Sequence, residues 1–192
     1  MKTLIFASGN AHKIREVREL LSDRYDVKGL IDIGCTADIP ETSDTFEGNA
    51  LLKAQYVVEH YQLDCFAEDT GLEVEALHGA PGVYSARFAG LHKSSADNMS
   101  LLLEKLKGQT NRQARFKTVV ALIWNGETHY FEGIVNGHIV ESPRGSGTFG
   151  YDPVFVPEGY DLTFAEMEAD LKNSISHRGR AIQKLLKFLE NK

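Results

Sequence analysis

The chain alternates short apolar runs with stretches whose apolar residues recur every three to four positions, the rhythms of strands and helices. Thr3 to Ala7 reads as a first strand, ending at polar Ser8-Gly9-Asn10. Asn10 can N-cap a helix over about 11–22, with Ile14, Val17, Leu20 and Leu21 on one face. A second helix is expected over 45–62, opened by Asp44 with Glu47 three residues later, close to a capping box. Strands follow near 64–68 and 72–76, broken at Gly71, and a helix near 94–107 carries Met99, Leu102, Leu103 and Leu106. Phe116 to Trp124, Asn125-Gly126 and Glu127 to Val135 predict a hairpin, because Asn-Gly favours the type I′ turn that matches strand twist. Helices near 163–171 and 179–190 close the chain. The fold class is therefore mixed α/β with an antiparallel hairpin, not a regular βαβ repeat.

Composition adds limits to this picture. A chain of 192 residues with 42% hydrophobic and 25% charged residues can bury a real core as one domain, or one domain with two lobes. No apolar run approaches the ~20 residues that span a bilayer, and Met1 to Ala7 is too short for a signal peptide, so no membrane association and a cytoplasmic location are expected. Cys35 and Cys65 sit singly and read as buried free thiols. A net charge of −6 argues against a nucleic-acid duplex as partner, although a few lysines and arginines suffice for a small phosphorylated ligand.

Five segments carry candidate chemistry. Ser8-Gly9-Asn10-Ala11-His12-Lys13 joins a strand to a helix N-terminus, where free N–H groups and Lys13 can meet an anion; its plainer reading is a capped helix with a surface lysine. Glu41 precedes the helix on which Asn49 and Lys53, four apart, share a face. Phe66-Ala67-Glu68-Asp69-Thr70-Gly71 brings two carboxylates to a strand end, chemistry that suits a hard cation or an activated water. Strand alternation sends the two acids to opposite faces. Gly145 to Pro153 offers Phe149 and Tyr151 for stacking on a planar ring and Asp152 as an acceptor of ring N–H groups; alternatively its aromatics fold back into the core. Lys172 and the run Ser176-His177-Arg178, just before the last helix, supply donors for a carbonyl oxygen or ring nitrogen. His60, His78, His92, His129 and His138 show no metal-ligand spacing.

Taken in order, these motifs resemble the inosine triphosphate pyrophosphatase family, house-cleaning enzymes that hydrolyse non-standard purine nucleoside triphosphates. The likeness runs through Ser-Gly-Asn-x-x-Lys at 8–13, Thr-Phe-x-x-Asn-Ala-x-x-Lys-Ala at 45–54 and Glu-Asp-Thr-Gly-Leu at 68–72. It continues in Gly-Ala-Pro-Gly-x-Tyr-Ser-Ala-Arg at 79–87, Phe-Gly-Tyr-Asp-Pro at 149–153 and Ser-His-Arg at 176–178. The resemblance implies an elongated two-lobed α/β fold with a central cleft over 1–192, Mg²⁺ dependence and a homodimer. Its implied substrates are ITP, dITP and XTP, cleaved to the monophosphate and pyrophosphate. It also implies roles: Asp69 as catalytic acid–base and metal ligand, and Glu41 as the other magnesium carboxylate. Ser8, Gly9, Asn10, Ala11, His12, Lys13, Lys53 and Thr70 would bind substrate. Phe149, Gly150, Tyr151, Asp152, Lys172, His177 and Arg178 would form the nucleobase pocket. Two positions depart from the pattern: Thr70 stands where many members have Ser, and Gly48 where many have Glu.

On this reading Asp69 activates the water that attacks the α-phosphorus, Lys13 and Lys53 clamp the phosphates, and Arg178 selects a 6-keto purine. Glu68 points away from the chemistry. Two rivals are a septum-formation-type nucleotide pyrophosphatase, which prefers other nucleotides, and a sensor that binds nucleotide without turnover.

Overall fold

The structure, a computed structural model, describes residues 2–21, 23–146 and 149–192. Met1, Ser22 (the expected end of the first helix), and Gly147 and Thr148 of the glycine-rich loop lie outside them. Six strands form one mixed sheet in the order β2-β1-β3-β4-β5-β6, the α/β class expected from the sequence. The chain divides into two compact units.

The first unit holds residues 1–69, 118–133 and 178–192. In it β1 (Lys2–Phe6) runs parallel to β2 (Tyr25–Lys28), with Leu4 opposite Val27, and to the start of β3 (Cys65–Val74), with Phe6 opposite Phe66. The two phenyl rings stack at 4.7 Å. Helix α1 (Ala11–Leu21) turns Val17 and Leu21 into this core. Helix α5 (His177–Leu189) adds Ala181, Ile182, Leu185 and Leu189 to it. Burying side chains of this size is worth ~1.5–3 kcal/mol each. Asn10 caps α1 as expected: its Oδ1 accepts from His12 N–H at 3.0 Å and Lys13 N–H at 3.2 Å. Helix α2 (Phe46–Tyr61) is capped by Thr45 rather than Asp44, with Thr45 Oγ1 accepting from Gly48 N–H at 3.1 Å.

The second unit holds residues 70–117 and 134–177. Its core gathers Leu72 and Val74 of β3, Phe116 of β4 (Gln113–Trp124) and Val135 and Ile139 of β5 (Glu127–Ile139). Phe155 of β6 (Phe155–Pro157) and Leu102 of α3 (Ser95–Lys105) complete it. The turn between β4 and β5 is Asn125-Gly126, both at positive φ (50° and 80°), as a type I′ turn demands.

Three further expectations need correction. The 64–68 and 72–76 strands are one strand, because β3 is buried almost throughout and Gly71 continues it. The helix expected over 163–171 is instead a turn followed by α4 (Ala169–Ile175): Glu166 folds back so that its carboxylate accepts from Thr163 N–H at 2.8 Å, and Phe164 enters the core. Extended Ser176 separates α4 from α5, so His177 and Arg178 lie in the first turn of the last helix rather than before it.

Candidate active site

The end of β3 places Glu68 and Asp69 side by side in sequence, and both are buried. Alternation along the strand gives them different partners. Asp69 accepts from the amide of Asn49, with Nδ2 3.0 Å from Oδ2. Burial raises the Asp69 carboxyl above its ordinary value, Glu41 adds to the rise, and the Lys53 and Lys13 charges oppose it. Lys53 pairs with Glu41 at 2.6 Å, four residues along α2 from Asn49, as the helical spacing requires. These carboxylates and lysines are thus within electrostatic reach of one another.

Glu68 is not idle. Its carboxylate accepts from Arg178 Nε (3.1 and 2.9 Å) and Nη2 (2.7 Å), and Lys13 Nζ lies 3.2 Å away. Burial works against its charge, but Arg178 and Lys13 more than offset that and hold its carboxyl well below the usual range. Arg178 Nη1 also donates to Glu16 on α1. Arg178, assigned by resemblance to the nucleobase pocket, is thereby almost fully buried among carboxylates. Of its five N–H groups these bonds use one on each nitrogen and leave a second on Nη1 and on Nη2. Lys13 has its pKa lowered by burial, with Lys53 and Arg178 adding to the fall and Glu68 resisting it.

The α1 start differs from its expected role in one respect. The His12 and Lys13 amides, offered to a phosphate on sequence grounds, are taken by the Asn10 cap. Ser8 is half-buried, Gly9, Asn10, Ala11 and His12 are exposed, and Lys13 Nζ is the charge this segment contributes.

In the second unit Lys172 Nζ donates to Asp152 Oδ2 at 2.7 Å and stands 5.7 Å over the half-buried Phe149 ring. His177 stacks on Phe116 at 4.6 Å, and half-buried Thr70 follows Asp69 on β3. Tyr151, one of the two proposed stacking aromatics, joins the core instead, its hydroxyl donating to Ser85 O at 2.7 Å. Ser85 Oγ in turn accepts from Leu72 N–H at 2.9 Å and donates to Gly82 O at 2.6 Å. The 80–87 segment therefore braces this unit's fold and the base of the Phe-Gly-Tyr-Asp loop. Ser85→Ala leaves the buried Leu72 N–H without its acceptor and is expected to lower unfolding free energy by ~1–3 kcal/mol in a denaturant titration; an unchanged midpoint would contradict that bracing role. A 680 Å³ concavity bordered by Glu73, Arg115, Asn136, His138, Glu158 and Tyr160 contains none of the candidate residues.

Sequence reasoning missed Glu16 and set Glu68 aside. The available signal was the Lys13–Glu16 spacing of three on one helix, which puts an acid beside the lysine.

Among the described residues no group of three or more His, Cys, Asp or Glu could hold a metal by itself. Glu41 and Asp69 nevertheless fit a hard divalent cation that takes its remaining oxygens from phosphates and water, the habit of magnesium.

An α/β protein with a buried, amide-anchored carboxylate and two nearby cations, Lys53 and Lys13, suits the chemistry of a small polyanion. Comparison with known proteins narrows that class: residues 4–188 match the Ham1 family, and the chain belongs to it. It is 54% identical over 190 residues to the dITP/XTP pyrophosphatase of Porphyromonas gingivalis, covering 98% of each chain. It is 52% identical over 186 residues to that of Flavobacterium johnsoniae, covering 97% of each. Among solved structures, a HAM1 protein from Coxiella burnetii matches with a TM-score of 0.90 at 36% identity over 100% of both chains. The Staphylococcus aureus Ham1 protein matches with a TM-score of 0.88 at 40% identity over 99% of both.

Proposed function

We propose that this chain hydrolyses ITP, dITP and XTP to the monophosphate and pyrophosphate, clearing deaminated purines from the nucleotide pool before they enter DNA or RNA. The observation that carries the reading is Asp69: a buried carboxylate with a raised pKa, held by Asn49 and flanked by the Lys53–Glu41 pair. Its raised pKa makes Asp69 a better proton acceptor than a solvated aspartate. It takes the proton of a water whose oxygen attacks the α-phosphorus; the bond to the oxygen bridging α- and β-phosphorus breaks, and pyrophosphate carries away the electron pair. Lys13 and Lys53 offset the charge that builds on the phosphoryl oxygens. Glu41 and Asp69 would hold Mg²⁺, which when bound supplies Lewis-acid neutralisation of the phosphates.

For the base, Arg178 keeps two N–H groups for an acceptor such as the 6-keto oxygen of hypoxanthine or xanthine. The resemblance also assigns Phe149, Asp152, Lys172 and His177 to the base, as an aromatic ring, an acceptor and further donors. The same resemblance carries a homodimer, and the composition a cytoplasmic location.

Pyrophosphate release with Mg²⁺ from ITP, XTP, dITP, GTP, ATP, UTP and dTTP tests the reading. Adenine presents an amino group where the site offers donors, and one unpaired buried donor costs about 1–3 kcal/mol, so ATP should be slower than ITP by ~10–10²-fold. Equal rates across the panel would defeat the selective-purine assignment, and no release would favour a sensor.

A further inference from the structure

We propose that Asn49 is a positioning residue for Asp69, oriented by the backbone of Ser43, and that Gly48 is what allows this arrangement. The inference rests on the reading of Asp69 as the base. Asn49 is fully buried on α2. Its Oδ1 accepts from Ser43 N–H at 2.9 Å, which fixes the sense of the amide, since the flipped amide would set N–H against N–H. Nδ2 is therefore aimed at Asp69, where it donates to Oδ2 at 3.0 Å. With one carboxylate oxygen committed to the amide, the plane of the Asp69 carboxylate is set. So is the direction from which its other oxygen can take a proton.

Gly48 explains how the Ser43 backbone comes within reach. A Cβ at position 48 would lie 2.0 Å from Ser43 Oγ and 2.6 Å from Ser43 Cβ, so any side chain there must push the 43–45 turn away from α2. That turn is otherwise well braced: Thr45 N–H donates to Ser43 Oγ at 3.2 Å, and Thr45 caps the helix. The departure from the family pattern at 48 is thus a matter of space, not of backbone freedom. It links Gly48 through Ser43 and Asn49 to Asp69.

The test compares wild type, Asn49→Ala and Gly48→Ala in three measurements: kcat and KM for ITP, binding of IMP by calorimetry, and thermal unfolding. Misaiming the base should lower kcat by ~10–10²-fold in Asn49→Ala, and by less in Gly48→Ala. KM and IMP affinity should stay within about threefold, because the contacts that bind nucleotide are untouched. A purely structural role would lower Tm while leaving kcat per folded molecule within about twofold, and that result overturns the proposal. Parallel loss of kcat and IMP binding also overturns it, since the site itself would then be lost. If Asn49→Ala does not fold, Gly48→Ala decides alone on the same split. A wild type that releases no pyrophosphate from ITP fails the functional reading instead, before either variant is measured.

Discussion

Asp69→Asn is expected to lower pyrophosphate release from ITP by at least ~10²–10³-fold, the range seen when a single preorganised group that stabilises a transition state is removed. The same change should not destabilise the protein. Burial raises the Asp69 carboxyl above its ordinary 3.8, and Glu41 adds to the effect, so the folded state holds this proton more tightly than the unfolded chain does. The sign of the linkage follows. Ionised Asp69 weighs against folding at every pH above the ordinary value, and the penalty is complete once pH passes the raised one. Asparagine keeps the shape and removes the charge. Without added divalent cation at about pH 7, the Tm of Asp69→Asn should therefore equal or exceed that of wild type. Turnover near wild type would sink the catalytic assignment; a clear drop in Tm would show that the carboxylate is a stabilising element instead. The same raised pKa sets the acid limb of the wild-type rate profile, which should fall off above the range of a solvated aspartate.

What the sequence disclosed, it disclosed through local signals. The Asn10 cap, the Asn125-Gly126 turn and the apolar face of α3 each depend on residues within about four positions of one another, the range over which capping, turn type and helical period act. Three of the misreadings reflect structure beyond the local segment. Gly71 looks like a strand breaker until β3 is seen buried almost end to end, where pairing outweighs propensity. Tyr151 looks like an offered aromatic until Ser85, 66 residues earlier, takes its hydroxyl. Glu68 looks idle until Arg178, 110 residues later, arrives beside it. Asp69 could be picked out as the candidate base because the motifs around it are contiguous, but the residues that hold it and its neighbours in place come from separate segments. Ser43 had no contiguous pattern to announce it, and Glu16 had only its spacing of three from Lys13.

The buried charge cluster makes the second large effect a matter of stability. Glu68→Gln leaves the Arg178 guanidinium, itself buried, with Glu16 as its remaining acid among these contacts, and takes from Lys13 the carboxylate that favours its charge. Removing one partner of a buried ion pair typically costs ~3–5 kcal/mol, because the charge left behind is neither solvated nor matched. The loss should depend on pH in a definite direction. The Glu68 carboxyl lies well below its ordinary 4.5 in the folded state: burial disfavours the charge, but Arg178 and Lys13 prevail. Its contribution is therefore fully present above 4.5 and fades as pH falls from there toward the folded value. Denaturant titrations of wild type and Glu68→Gln should differ most near neutrality and converge on acidification. A difference under ~1 kcal/mol at about pH 7 would place the pair with weak surface bridges and refute the account, as would a difference that stays constant down to about pH 3. Glu68→Leu combined with Arg178→Met gives the complementary measurement. Removing both charges together leaves neither stranded, so the double variant should be more stable than the sum of the two single changes predicts. If it is not, the cluster stabilises through its hydrogen-bond geometry rather than through compensation of buried charge.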